Sequence, residues 1–146
     1  MRRSSAIPTS RPANSADEAA LSERFERAMR GVAGNARLVW RGRTLNADGL
    51  VVIGATRHLL RIEAGRVVAC TREIPLLAAT RFTIRGSAAA WSALWQPLPA
   101  PGWHDLLALT KRGEMAIEGD TQPVMAHLQY LKDLLALPRA GAADGR

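Results

Sequence analysis

The sequence predicts an α+β fold in which helices cover one face of a largely antiparallel sheet. Three patterns indicate it: a helical apolar period before residue 34, alternating apolar residues between 37 and 85, and helical periods again after 87. The 146 residues, 47% of them apolar, suffice for one domain with a hydrophobic core. We expect residues 16–138 to form this single domain, between a disordered arm at 1–15 and a disordered tail at 139–146.

The first helix is predicted to begin at Ser15, because Ser15 and Glu18 have the spacing of a capping box. Apolar residues then recur at helical spacing, including Leu21, Phe25 and Met29. The pair at residues 34–35, Gly-Asn, is expected to end this helix.

The middle of the chain is predicted to form strands. Residues 37–41 alternate, which places Leu38 and Trp40 on one face of a first strand. Residues 46–49 favour a turn, and residues 50–53 are apolar on both faces, as in a central strand. Residues 57–63 and 66–72 are predicted to form a hairpin about Ala64-Gly65, with His58, Leu60 and Ile62 on one face. A further strand is predicted at residues 80–85, with Phe82 and Ile84 pointing inwards.

Helices return in the last third. Ser87 is predicted to cap a helix, and a second short helix is expected at residues 103–111. Residues 114–118 predict a strand, and residues 119–121 a turn in which Asp120 serves the turn and is not half of a carboxylate pair. One continuous amphipathic helix is predicted from Gln122 to Leu137, where Pro138 stops it.

Composition bounds the class of protein. No apolar run reaches the roughly 20 residues of a membrane span, and no apolar segment follows the initial Met-Arg-Arg, so we expect no secretory signal. The single cysteine, Cys70, excludes an internal disulfide, fits a reducing cytoplasm, and is expected to be a buried structural thiol. The net charge of +7 favours anionic partners such as an anionic membrane surface.

Catalytic patterns are weak. The three histidines, His58, His104 and His127, fall in different elements, so no metal site is predicted, and no glycine-rich phosphate loop implies a cofactor. His104-Asp105 is the most enzyme-like pair, but a helix start with Asp105 at its positive end explains it better. The basic residues form no single stripe, which argues against specific nucleic-acid binding.

The chain after residue 81 has a distinctive order of elements. It comprises residues 82–86, a helix, a proline-broken loop, a second helix with Leu106-Leu-Ala-Leu109, and Gly113-Glu-Met-Ala-Ile-Glu-Gly-Asp120 before an apolar helix. This order resembles the sterol-carrier-protein lipid-binding domain family. The resemblance spans residues 17–137. It implies a five-stranded mixed, largely antiparallel sheet with helices on one face and an apolar tunnel between them. It also implies a non-catalytic carrier of a sterol, a fatty acyl chain, an acyl-CoA or an isoprenoid quinone tail.

Mapped by element, the resemblance places nine residues at the tunnel: Trp91, Leu94, Trp95, Trp103, Leu107, Met115, Met125, Leu128 and Leu131. Because tryptophan and methionine also fill ordinary cores, a second hypothesis is a protein-interaction or accessory module with a filled pocket, such as one assisting ubiquinone biosynthesis. A third is an enzyme using His104 and Asp105. The sequence leaves the ligand and the oligomeric state open.

Overall fold

The computed structural model describes residues 6–139, with side chains from Asp17 onward, so residues 1–5 and 140–146 of the predicted arm and tail lie outside it. Its elements, in chain order, are α1 (Ala6–Arg30), a 3₁₀ turn (Val32–Gly34), α2 (Ala36–Arg41), β1 (Asn46–Ile53), β2 (Thr56–Glu63), β3 (Arg66–Thr71), β4 (Phe82–Gly86), α3 (Ala88–Leu94), α4 (Leu106–Lys111), β5 (Met115–Gly119), α5 (Gln122–Ala126) and α6 (Leu128–Ala136). Within this part of the chain, none of the helices combines the length and apolar character needed to cross a bilayer.

The five strands form one sheet in the order β3-β2-β1-β4-β5. β1 and β4 run parallel, and the other three pairs are antiparallel. The predicted mixed, largely antiparallel sheet is therefore confirmed. As expected of a strand that is apolar on both faces, β1 lies at its centre.

The β2–β3 hairpin forms as predicted. Ala64 and Gly65 turn the chain with φ of 52° and 81°, and Asn46 Oδ1 accepts a hydrogen bond from Ala64 N at 2.9 Å. Left-handed backbone suits Gly65, whose missing Cβ also lets the turn pack closely against the backbone of Gly42.

Helices pack on one face of the sheet only. Buried residues pointing towards the helices include Val51, Ile53, Leu60, Ile62 and Ile84, and they belong to the same apolar cluster as the inner sides of α1, α3 and α6. On the opposite face, the segment 74–80 between β3 and β4 lies against Leu50 and Arg57. The predicted fold class, with its helices on a single face, is confirmed.

The predicted start of the first helix is wrong, because α1 already begins at Ala6. Glu18, expected to cap that helix, instead accepts hydrogen bonds from Thr56 Oγ1 at 2.6 Å and Ala55 N at 3.3 Å. The carboxylate therefore fastens α1 to the β1–β2 turn.

The strand predicted at residues 37–41 is also wrong, because this segment is helix α2. Asn35 does not end the preceding helix but begins this one, its Oδ1 accepting a hydrogen bond from Leu38 N at 3.1 Å. Leu38 is buried whereas Trp40 is exposed, so the two do not share a face. The predicted turn at 46–49 is likewise the first half of β1.

The single helix predicted over residues 122–137 is divided into α5 and α6 at His127, whose φ and ψ are −122° and 34°. Both nitrogens of the His127 ring have a partner at this break. Its Nδ1 lies 3.1 Å from the carbonyl oxygen of Pro123, and its Nε2 lies 3.0 Å from Thr44 Oγ1. The helix is thus interrupted where it contacts the turn that precedes β1.

Candidate apolar-ligand site

The space between the sheet and the helices is filled on the α3 side by two tryptophans. Trp91 and Trp95 have ring centroids 5.3 Å apart, and Phe25 from α1 stacks on Trp95 at 6.3 Å. Ser87 positions both rings by capping α3, accepting a hydrogen bond from Ala90 N at 3.0 Å as predicted.

Both indoles are also tied to backbone oxygens. Trp91 Nε1 donates to the carbonyl of Val52 at 2.9 Å, and Trp95 Nε1 donates to the carbonyl of Leu135 at 2.6 Å. A buried indole N–H needs such a partner, and here each partner belongs to a different element. Trp91 therefore links α3 to the sheet, and Trp95 links α3 to α6.

The loop before α4 is held by charges. Asp105 caps α4 by accepting from Ala108 N at 2.8 Å, which confirms its predicted role at the helix start. Its other oxygen lies 3.1 Å from Lys132 Nζ in α6. The Arg112 guanidinium lies 4.5 Å from the centre of the Trp103 ring.

The helix start also accounts for the enzyme-like pair. His104 Nε2 is 3.5 Å from Asp105 Oδ2, but the His104 side chain is exposed and Asp105 is already engaged by Ala108 and Lys132. The Lys132 and Ala108 contacts hold the pKa of Asp105 below its usual value, although burial opposes the shift. Asp105 thus acts as a cap and ion-pair partner and is poorly suited to serve as a base.

The nine predicted tunnel residues fall into three groups. The structure places five of them in the buried core: Trp91, Leu94, Trp95, Met115 and Leu131. Three are partly buried: Trp103, Leu107 and Leu128. Met125 in α5 is 49% exposed. The assignment of these residues to a ligand site stays a prediction.

Grooves open at the edges of the helical layer. One of about 420 Å³ lies between α1 and α3, another of about 390 Å³ lies beside Met115 at the ends of β4 and β5, and a third of about 330 Å³ lies between α2 and α6. Of the predicted tunnel residues, only Met115 lines any of these three grooves.

A buried polar cluster under α1 escaped the sequence analysis. His58 is fully buried, with Nδ1 3.3 Å from the Val51 carbonyl oxygen and Nε2 3.4 Å from Glu26 Oε2. Burial lowers the pKa of His58, against the opposing influence of Val51 and Glu26. The Arg72 guanidinium bonded to Glu26 lowers the pKa of that carboxyl. A histidine within an alternating apolar strand was the only sequence signal.

Cys70 contributes a thiol to the same side of the sheet. It packs against the core from β3 but is only half-buried, whereas the sequence predicted a buried thiol. Burial raises its pKa to about 11. Among the side chains of residues 17–139, no three of the metal-ligating types His, Cys, Asp and Glu approach closely enough to hold a metal.

Comparison with known proteins identifies the fold. No family model matches the chain, and no curated protein matches its sequence. Among solved structures, sterol carrier protein 2 matches with a TM-score of 0.62 at 13% identity, covering 81% of this chain and 95% of that one. A conserved hypothetical protein of Thermus thermophilus, described as a candidate sterol carrier protein, matches with a TM-score of 0.57 at 13% identity, covering 82% and 88%.

A third structure, the ubiquinone synthesis protein UbiJ-SCP2, is 21% identical over 70% of this chain and 80% of that one, with a TM-score of 0.47 that is too low to support an argument. The first two similarities are sufficient for the architecture. The chain is an α+β domain with the fold of sterol carrier proteins, and the resemblance predicted for residues 17–137 is confirmed at the level of the fold.

Proposed function

We propose that this protein is a non-catalytic carrier that binds the apolar tail of a lipid-like ligand between the sheet and the α5–α6 segment. The observation that supports this most directly is that the α5–α6 segment is interrupted and begins with a short helix. α5 is only five residues long, ends at the His127 break, and leaves Met125 half-exposed beside the buried Val124. A short helix with few buried side chains is the part of the wall that moves at the lowest cost.

The free energy needed to move α5 outward determines how long the apolar chain of a ligand must be. Moving α5 outward would expose the side chains of Pro123 and Val124, at a cost of about 4 kcal/mol in lost apolar burial. Each methylene of a bound chain contributes about 0.8 kcal/mol, so roughly five methylenes offset this opening. Ligands with long acyl or isoprenoid tails are therefore expected to bind, and short ones are not.

The test measures binding against chain length. We would titrate the intact protein with fatty acids of increasing length, an acyl-CoA and an isoprenoid quinone, and follow complexes by native mass spectrometry. Binding should be absent for the shortest chains and rise steeply with added methylenes. A bare protein mass with every long-chain ligand, and on purification from the host, would contradict the proposal.

Matched variants locate the site. Met125→Ala should weaken long-chain binding, because it removes apolar surface from the moving segment. Leu76→Ala removes a comparable apolar side chain that is 98% exposed in the segment 74–80 on the other face of the sheet, and it should leave binding unchanged. Equal effects of the two variants would argue against a site behind α5.

A second function is favoured by the tryptophan packing. Trp91 and Trp95 are at most 1% exposed and bonded to the backbone, so the α3 side of the interior is occupied by the protein itself. A domain of this fold with a filled interior would act as a protein-interaction module. Such a module is expected to yield a stable protein partner on pull-down from the host and no chain-length dependence in the ligand titration.

A further inference from the structure

We infer that the segment Arg37–Arg43, formed by α2 and the turn after it and here called the α2 corner, docks the protein on an anionic lipid surface. Its sequence, Arg-Leu-Val-Trp-Arg-Gly-Arg, has three arginines and no acidic residue. The fold places these residues on the outside, because Leu38 is the buried anchor of α2. Clustered basic residues next to an exposed aromatic ring are suited to phospholipid headgroups.

Trp40 is the apolar element of this surface. Its side chain is 64% exposed, although tryptophan is usually largely buried in a soluble domain. The Arg43 guanidinium lies 3.6 Å from the centre of the Trp40 ring, and Arg43 Nη1 donates to the Trp40 carbonyl at 2.8 Å. An amphipathic indole held beside a cation is the arrangement that settles at the boundary between headgroups and acyl chains.

The charges of the α2 corner are largely uncompensated. Asp133 lies 3.5 Å from Arg41, but both side chains are more than 40% exposed, so the pair is weak. Among the side chains of residues 17–139, no carboxylate oxygen lies within ion-pair distance of Arg37 or Arg43. Arg37 and Arg41 also line the groove of about 330 Å³ against α6, where Asp133 is the one acidic lining residue, so two guanidinium groups face one carboxylate in a space large enough for a headgroup phosphate.

Another exposed apolar feature is less suitable. Leu76 and Leu77 are 98% and 92% exposed on the opposite side of the sheet. The arginines that flank them are paired, however, Arg72 with Glu26 and Arg81 with Asp120. Arg57, which lies against that loop, is a single arginine without an ion-pair partner among the described side chains, whereas the α2 corner combines two such arginines with an exposed aromatic ring.

A lipid surface fits better than a nucleic acid. Single-stranded nucleic acids bind by stacking bases on free aromatic faces along a basic groove. Trp40 is the one exposed aromatic ring of the α2 corner, and Arg43 covers one of its faces. Insertion into a membrane interface needs only the free edge and the other face of the indole.

The α2 corner is connected to the segment that would admit ligand. Gly42 packs so closely on the Tyr130 ring that a Cβ there would collide with it, and Thr44 bonds with His127 at the α5–α6 break. Docking would therefore bring the lipid surface next to the α5–α6 segment. This connection rests on the proposed function, whereas docking itself does not.

The experiment measures co-sedimentation of the intact protein with vesicles of phosphatidylcholine, with and without phosphatidylglycerol. Binding should require phosphatidylglycerol and weaken as salt rises. Each arginine near the surface contributes roughly a fivefold factor in affinity, so the double variant Arg37→Gln/Arg43→Gln should bind roughly 25-fold more weakly. Trp40→Ala should also weaken binding, and Trp40→Phe should restore part of it.

The control removes the same charge elsewhere. Arg57→Gln/Arg85→Gln changes two exposed arginines on the sheet face away from the helices, of which Arg85 is paired with Glu118. Gly65 contacts Gly42 of the α2 corner, and the eight residues of chain from Gly65 to Arg57 span roughly 25 Å. This exceeds the roughly 10 Å reach of screened charges, so vesicle binding should stay within about twofold of the parent. Equal losses in the two double variants would overturn the inference in favour of a general charge effect. Undiminished binding of the Arg37→Gln/Arg43→Gln variant, or binding of single-stranded DNA that depends equally on Trp40, would also overturn it.

The two proposals fail separately. Fatty-acid titration without vesicles tests the carrier, and the Arg37→Gln/Arg43→Gln variant should bind fatty acid like the parent in that assay. Vesicle binding without any fatty-acid complex would refute the carrier and leave docking intact. A fatty-acid complex without vesicle binding would refute docking alone.

Discussion

The two helical segments that carry most of the predicted ligand residues differ in how they are held. α3 is one helix with a side-chain cap at Ser87, and its two tryptophans are bonded to β1 and α6. The α5–α6 segment is interrupted at His127, and neither Thr121 nor His127 caps a helix with its side chain. One wall of the interior, α3, is therefore fixed, and the other, the α5–α6 segment, is jointed at His127. The proposed carrier function assigns the ligand entrance to the jointed wall.

The largest effect should come from removing a tryptophan of the fixed wall. Trp95→Ala is expected to lower the free energy of unfolding by about 3–5 kcal/mol, because it leaves a cavity and an unpaired carbonyl at Leu135. Urea denaturation would measure it, with Met125→Ala on the jointed wall as the control, expected within about 0.5 kcal/mol of the parent. Similar costs for both variants would show that the walls do not differ.

A smaller loss is expected where the jointed wall rests on the α2 corner. Gly42→Ala would drive a methyl group into the Tyr130 ring, whose hydroxyl donates to the Gly65 carbonyl at 2.7 Å. We expect a loss of about 1–3 kcal/mol from this overpacking. Gly34→Ala, where a Cβ meets no atom within 4 Å, is the matched control. Thermal unfolding of both variants checks this, and an unaffected Gly42→Ala protein would mean that α6 shifts freely.

Acid should destabilise the cluster under α1, where the His58 ring contacts Phe25, which in turn stacks on Trp95 of the fixed wall. The pKa of His58 is below its usual 6.5, so the unfolded chain binds more protons and stability is lost as the pH falls below about 6.5. The lowered pKa of Glu26 adds a loss below about pH 4.5. A single titrating group changes stability by at most about 1.4 kcal/mol per pH unit. Urea melts between pH 7.5 and 5 should show this slope, and His58→Phe should flatten it. A parent protein without the slope would refute the assignment.

The smallest effect on the free energy of unfolding is expected at the His127 break between α5 and α6. Removing the bond between Thr44 and His127 should cost about 1 kcal/mol, and Thr44→Val and His127→Ala should be non-additive in a double-mutant cycle. Amide hydrogen exchange in α5 should rise in both variants and stay unchanged in α3. Additive effects would indicate that the two side chains act independently of each other.

The sequence predicted most of the sheet because its signals were local. The Ala64-Gly65 turn, the alternation of Phe82 and Ile84, and the Ser87 cap each lie within a few residues of the structure they specify. Residues 37–41 were misassigned because an alternating pattern over five residues fits one turn of helix as well as a strand. Only the Asn35 cap distinguishes the two, and the pair Gly34-Asn35 fits the end of the previous helix as well.

The candidate site was less accessible from sequence because it depends on contacts between distant segments. The helical spacing of residues 122–137 contains no sign of the break, which arises where Thr44 meets His127. Similarly, apolar spacing placed Trp91 and Trp95 on the inner face correctly but could not show that Val52 and Leu135 hold their indoles. Periodicity predicts which side chains point inwards, whereas contacts between distant segments determine which of those side chains are held in place.

Cys70 gives the molecule a built-in chemical reporter. The thiolate is the form of cysteine that attacks alkylating reagents, and a pKa of about 11 leaves very little thiolate near neutral pH while β3 is in place. As the only cysteine of the chain, it can be modified at a single position. Its rate of alkylation should therefore rise when the β3 edge of the sheet loosens and the thiol loses the apolar surroundings that raise its pKa, and no label or substitution that would disturb the protein is needed.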